Sequence, residues 1–321
     1  PPTYGLMPFA CATDGDIGNV VAFTDAYTYW GFDATATLLE RLQHPRATEF
    51  RREVEYYRAD IMTAITYLTR PDGLIERKIT AGCDEEQHTS KFDACCSFAN
   101  MIVTGIPDMI SEAFSRYVSY MEAHVVCDQF WGPMDREVMY MGNAEHAWQQ
   151  IYLERGEWKK AFMTMRTNQR YGMTPDTFQT QERFSIYDPG FTPFQPNGSG
   201  NGRMLEMILN SLYYEGKDTV VLFGCIPFAW LRRNGITSVR NLHTPQGRIH
   251  LEATMLDRNT CRISLTGTTS DAMPATVRLP EHLHVDFHEG VTPMTAQQYA
   301  IMPDMTTITF TVSDGEAVLC Q

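Results

Sequence analysis

Phe50–Leu68, FRREVEYYRADIMTAITYL, carries apolar side chains at Phe50, Val54, Tyr57, Ile61, Ile65 and Leu68. Spacings of three and four place them on one face of an α-helix, with charged residues opposite. Pro71-Asp72-Gly73 stops that helix, since Pro lacks a backbone donor and Gly permits the turn. The same period recurs behind Pro107 in Met109, Ile110, Ala113, Phe114, Tyr117, Val118 and Met121. Glu145–Arg155 and Glu157–Thr167 predict two helices joined by a turn at Gly156. Met204, Leu205, Ile208, Leu209 and Leu212 predict a last helix ending near Gly216. From about Ile17 to Glu215 the pattern is helical, interrupted by polar segments over 72–92, 128–143 and 172–202. Helices joined alternately by short turns and long polar loops predict stacked hairpins with the long loops on one face.

Beyond residue 218 the period changes to two. Arg248–Asp257, Arg262–Thr266, Thr276–Leu279, Leu283–His288 and Thr306–Val312 alternate apolar and polar residues, with Gly, Pro and Asp between them. That pattern predicts antiparallel strands in a small β-sandwich. Helices followed by strands imply segregated layers or two domains. The expected division is 1–217, mainly α, and 218–321, a β-sandwich.

The chain has 321 residues with 43% hydrophobic and 20% charged content, the composition of an ordinary globular protein. Its net charge of −13 argues against nucleic acid or an anionic membrane as partner, since both need a basic face. Arg232, Arg233, Arg240 and Arg248 gather in one region and read as surface and ion-pair residues. No apolar run has the length of a membrane span. The chain begins Pro1-Pro2 without Met, which predicts a removed leader or a piece of a longer protein. Its eight cysteines form no CxxC pair and no zinc spacing, and read as buried free thiols.

Pro189–Gly202, PGFTPFQPNGSGNG, reads as a long polar loop beside Tyr187, with aromatics at Phe191 and Phe194 and polar side chains at Gln195, Asn197, Ser199 and Asn201. Aromatic faces beside amides and hydroxyls suit a sugar ring, which offers an apolar face and many hydroxyls. A loop of that length inside a compact domain is functional or disordered, and its aromatics argue against disorder.

These features carry a resemblance. The chain resembles the second half of a six-hairpin glycosidase, an (α/α)6 toroid followed by a β-sandwich. The segments that carry it are Gly5-Leu6-Met7-Pro8, Thr13–Gly18, Asp25–Trp30, Glu55–Ile61, Gly73-Leu74-Ile75, Phe194–Gly202 and Leu222–Pro227 with Trp230. The resemblance implies a mainly α toroid, glycoside hydrolysis, and an upstream segment or another chain to complete the toroid. It also implies an inverting mechanism, with two carboxyl groups about 6.5–9.5 Å apart, and from the substrate class a place outside the cytoplasm.

Glycoside hydrolysis needs one protonated and one ionised carboxyl flanking the scissile bond. Asp14 and Asp16 flank Gly15, and their repulsion would raise one pKa as a general acid requires. The alternative is a polar turn capping the next helix. Asp84, Glu85 and Glu86 with His88 could supply the acid or hold sugar hydroxyls, or form a solvated charge run. Trp131 could stack on a sugar with Asp135 or Glu137 facing the same cleft, Asp135 as a further catalytic candidate, or Trp131-Gly132-Pro133 could open a helix. Glu182, ahead of Arg183-Phe184, is the first choice for the base; the alternative is a Glu182–Arg183 surface pair. The resemblance favours Asp16, with Asp14 second, as acid and Glu182 as base. Trp131, Glu86, His88, Phe191, Phe194, Gln195, Asn197 and Asn201 form the expected sugar-binding rim.

His282, His284, Asp286 and His288 would share one face of a strand. Such a row spreads over about 20 Å, so a polar outer face is expected rather than a metal set. No cofactor and no metal are expected. The expected function is a glycoside hydrolase acting on an oligo- or polysaccharide. The rival is a non-catalytic glycan-binding or assembly protein, which would show one carboxyl or none facing an aromatic cleft.

Overall fold

The computed structural model describes residues 5–8, 10–13, 16–18, 21–75, 101, 104–106, 108–123, 125–126, 129–134, 137–141, 145–185, 195–216, 219–244, 247–267, 274–303 and 305–315. It gives backbone alone for 10–13, 16–18, 22–23, 125–126, 129–134, 137–141, 145 and 183–185. The chain divides into two compact units, Pro1–Ile151 with Met163–Met204 and Tyr152–Phe162 with Leu205–Gln321. Among the described residues there are seven helices: α1 (Ala26–Arg41), α2 (Ala47–Leu68), α3 (Glu112–Glu122), α4 (Glu145–Arg155), α5 (Trp158–Tyr171), α6 (Gly198–Leu212) and α7 (Phe228–Asn234). None of them is long and apolar enough to cross a membrane.

In the first unit, α1 and α2 form a hairpin. Gln43, at φ 51°, takes the left-handed conformation that ends α1, and His44 N returns to Leu39 O at 2.9 Å. The expected face of α2 is the buried one, with Val54, Tyr57, Ile61, Ile65 and Leu68 inside and Ala64 added. Its outer side carries Arg51, which reaches Asp33 at 2.5 Å and Glu40 at 2.8 Å on α1. After α2 the chain turns as expected at Pro71-Asp72-Gly73. Leu74 N donates to Asp72 Oδ1 at 3.2 Å and Arg70 N to Leu74 O at 2.8 Å. Gly73 has φ 98°, and a Cβ there would lie 3.0 Å from Arg116 O. Ser111 caps α3 by accepting from Phe114 N at 3.3 Å. Tyr117, buried on α3, stacks on Trp148 of α4 with ring centroids 5.9 Å apart.

Strands occupy two of the segments expected as polar loops, 128–143 and 172–202, and with the two large sheets below this overturns the mainly α toroid. β1 (Ala10–Thr13) and β2 (Asp16–Gly18) form a hairpin. β3 (Val125–Val126), β4 (Gln129–Met134), β5 (Glu137–Met141) and β6 (Arg183–Ser185) form an antiparallel sheet in that order. Gly132-Pro133 in β4 suits no helix interior, and Val138–Met141 is a short unbroken apolar run rather than a helical stripe. The corrected fold class combines seven described helices with two large antiparallel-rich sheets, and the C-terminal region is where those sheets lie.

One large sheet runs β9 (Ile236–Thr244), β10 (Gly247–Met255), β11 (Thr260–Gly267), β16 (Thr307–Asp314), β13 (Leu283–Glu289), ordered from the β9 edge, and is wholly antiparallel. The other runs β7 (Tyr213–Glu215), β8 (Val220–Leu222), β12 (Thr276–Arg278), β15 (Gln298–Ile301), β14 (Val291–Pro293). Its β8–β12 pair is parallel, a departure from the antiparallel expectation. Both sheets bury side chains in one core, including Ile249, Leu251, Ile263, Leu265, Ile308 and Phe310 from the first and Val220, Leu222, Val277 and Tyr299 from the second. In β9, the register slips between Val239 and Leu242, where Asn241 sits at φ 56°.

The turn at Gly156 joins α4 and α5 as expected. Gly156, at φ 75°, donates to Leu153 O at 3.2 Å, and Glu157 N reaches Tyr152 O at 2.8 Å, a Schellman closure. Within the second unit, Arg278 of β12 completes this helix end. Its guanidinium donates to Leu153 O and, at 3.1 Å, to Glu154 O. Tyr214 OH on β7 donates to Glu154 Oε1 at 3.0 Å. Gly216 allows this approach, because a Cβ there would meet Glu154 Oε1 at 2.5 Å. Replacing Arg278 by Met leaves the Leu153 and Glu154 carbonyls short of donors, and the expected cost is about 1–3 kcal/mol. Urea unfolding followed by circular dichroism measures it.

Candidate functional site: the start of helix α6 and a buried carboxyl

The glycine-rich stretch is in part a helix. Gly198-Ser199-Gly200-Asn201-Gly202 forms the opening of α6, so the expected loop ends at Asn197. Asn197 acts as its cap, with Oδ1 accepting from Gly200 N at 2.5 Å. Its amide Nδ2 donates to Glu182 Oε2 at 3.2 Å. Thr180, buried, binds the other side of the same turn. Thr180 N donates to Asn201 Oδ1 at 3.1 Å, and its hydroxyl lies 2.8 Å from Asn201 Oδ1 and 2.9 Å from Asn197 O. Asn197 N returns a bond to Thr180 O at 3.1 Å. The buried face of α6 also differs from the expected one: Met204, Met207 and Ser211 are inside, while Leu205 and Ile208 are exposed.

Of the expected site residues, Glu182, Asn197 and Asn201 therefore come together, around a Thr180 that sequence reasoning missed. Its signal was slight: Thr180 is the last of three threonines spaced by three, after Thr174 and Thr177 and just before Gln181-Glu182. Gln195 is exposed two residues before the cap. Half-buried Glu182 has one carboxylate oxygen oriented by an amide donor. Such a group can orient a water or accept a ligand hydroxyl. Asp16 lies in β2 and Trp131 in β4, paired with Tyr140, but both by backbone alone. Asp14, Glu86, His88, Asp135, Phe191 and Phe194 lie outside the described residues, and so does the Asp16–Glu182 carboxyl separation.

Asp25 is the carboxyl that sequence reasoning quoted without giving it a role. It ends a π-helical turn, Val21–Asp25, which runs into α1. Its side chain is fully buried, and Oδ1 accepts from Tyr57 OH at 2.6 Å and from Met7 N at 2.8 Å. Burial pushes the Asp25 carboxyl above its usual range, against the opposing pull of the Tyr57 and Met7 hydrogen bonds. Burial and the Asp25 hydrogen bond likewise raise the Tyr57 phenol. The available signal was a single acid inside the largely apolar run Val20-Val21-Ala22-Phe23-Thr24-Asp25-Ala26.

The histidine row does not form. His282 is buried ahead of β13, with Nε2 2.8 Å from Ile226 O and its ring against Trp158, centroids 3.9 Å apart. His284 and Asp286 are exposed with 3.7 Å between their closest polar atoms, and the register of β13 slips at Asp286. Among the described residues no group of three or more His, Cys, Asp or Glu is placed to hold a metal ion. Cys225 and Cys261 are buried thiols; burial pushes the Cys261 thiol up to about 11. No protein-family model matches the chain, and no curated protein matches it either.

Two outcomes are expected. A Cβ at Gly200 would lie 2.6 Å from Thr180 Oγ1, whereas Gly202 has nothing within 4 Å. Gly200→Ala should therefore destabilise by about 1–3 kcal/mol through overpacking, while Gly202→Ala should stabilise by roughly 0.5–1 kcal/mol; thermal unfolding of the two variants separates them. The second outcome concerns Asp25, whose folded pKa is raised above 3.8. Its contribution is full below the unfolded pKa and is lost as pH rises through the folded pKa. The wild type should thus lose stability relative to Asp25→Asn as pH rises from 3.8 toward neutrality. A pH series of urea transitions on both proteins checks the trend, and parallel curves would remove it.

Proposed function

We propose that the chain acts on carbohydrate as a glycoside hydrolase, with Glu182 as the base that activates a water. The observation that carries this reading is the half-buried Glu182 carboxylate, held by the Asn197 amide at 3.2 Å. Amide and carboxylate groups converging at one place match the hydroxyl-rich surface of a sugar. The net charge of −13 fits a neutral glycan better than a polyanion. An inverting reaction, with the acid drawn from Asp16 or Asp14, is the finer form of the proposal.

A second reading, a glycan-binding protein without turnover, is favoured by a specific observation. The side-chain oxygens of Asn197 and Asn201 are engaged in the start of α6. Those oxygens serve the fold rather than a ligand hydroxyl.

Glu182→Gln keeps an oxygen for Asn197 Nδ2 and removes the base. Reducing-sugar release from a panel of oligosaccharides and polysaccharides should fall about 10²–10⁴-fold in this variant, with its unfolding transition unchanged. Glycan binding by both proteins with hydrolysis by neither would establish the second reading. Full hydrolysis by the variant would remove Glu182 from the chemistry.

A further inference from the structure

A pocket of about 180 Å³ opens in the second unit between the α4–α5 turn and the residues that follow β12. It lies apart from Glu182 in sequence and shares none of its residues. Trp158, Leu279 and Pro280 give it apolar wall, Arg155 and Arg278 give it cations, and Glu281 stands at its rim.

The walls are held in place before any ligand arrives. Trp158 packs on His282 at 3.9 Å, and His282 is anchored to Ile226 O at 2.8 Å. Lys159 Nζ lies 5.4 Å from the same indole ring. Arg278 is fixed by the Leu153 and Glu154 carbonyls through its two terminal nitrogens. Gly224 belongs to the lining, and a Cβ there would collide with Leu153 Cδ2 at 2.7 Å. Pre-organisation of this kind lowers the entropic cost of binding.

The charges are unequal. Arg155 is paired with Glu157 at 2.6 Å. Arg278 has no carboxylate within ion-pair distance among the described residues; Glu154, the acid that acts on it, has an oxygen bonded to Tyr214 OH at 3.0 Å. Arg278 Nε makes no hydrogen bond among the described residues. A guanidinium with a free donor beside a tryptophan suits a planar carboxylate carried on an apolar body. The size sets the rest: an apolar cavity of about 150 Å³ holds benzene.

We propose that this pocket binds a small carboxylate with a ring-sized apolar body, its carboxylate facing Arg278 and its ring facing Trp158. Benzoate is the probe, and benzamide is its neutral counterpart of the same shape. Titration of the full chain, followed by ligand-observed NMR, should show benzoate binding at least about tenfold tighter than benzamide. Arg278→Lys keeps charge but loses the planar fork, and should weaken benzoate about tenfold. Glu281→Gln removes a like charge from the exposed rim and should tighten benzoate by roughly two- to fivefold. Because Glu281 is exposed, that variant decides the matter even where Arg278→Lys fails to fold. Equal affinity for benzoate and benzamide, absence of benzoate binding, or benzoate affinity unmoved by Glu281→Gln would each overturn the assignment.

Discussion

Helix α4 ends inside the second unit, and its last carbonyl groups have no further turn of helix to donate to them. Three donors answer that need: Gly156 N, Glu157 N and the Arg278 guanidinium. The first two are local and follow from a glycine at φ 75°. The third comes from 124 residues away in the chain and carries a full charge to the negative end of a helix. Burial disfavours that charge, and it pushes the Arg278 guanidinium below its ordinary range. The carbonyls and the field of Glu154 compensate. Tyr214, Gly216 and Gly224 then have restricted identities, since they border the same helix end. The short parallel pairing of β12 with β8 also falls into place, because it sets Arg278 opposite Val221.

A mirror of this arrangement occurs at the start of α6. There the unmet groups are donors, and the answers are oxygens: Asn197 Oδ1 accepts from Gly200 N, and the Thr180 carbonyl accepts from Asn197 N. Glu182 is attached to this cap through Asn197 rather than through a dedicated pocket wall. The proposed chemistry of Glu182 therefore depends on a structural cap, and the Asn197 side chain serves two partners at once. An amide can do this because its oxygen and nitrogen point in different directions.

How far the residues alone could be read depends on the range of the forces involved. The helix over Phe50–Leu68 was clear because its buried face repeats within one segment. The strands β10, β11 and β16 were clear because alternation shows over eight or nine residues. β5 and β6 lie in segments expected as polar loops, and at five and three residues they are too short for a period to mark them as strands. The glycines of 198–202 outweighed Asn197, whose side chain caps the helix they open. In the candidate site, Glu182 and Asn197 were within reach of local reasoning. Asp25 was not, because its partners Met7 and Tyr57 lie 18 and 32 residues away. Nothing in a window around Asp25 reveals that its carboxyl will be enclosed.

The nine-residue strand β9 is the outermost strand of its sheet among the described residues. A straight strand of that length is a template on which another chain can build, and the result is aggregation rather than assembly. The slip at Arg240-Asn241, with Asn241 at φ 56°, breaks the run of outward-facing amides and carbonyls near its middle. Arg240 stands exposed at the same place and adds a charge that an incoming strand would have to desolvate. The bulge thereby protects the chain's own solubility: it divides an adhesive edge into two pieces, each too short to recruit a stable neighbour.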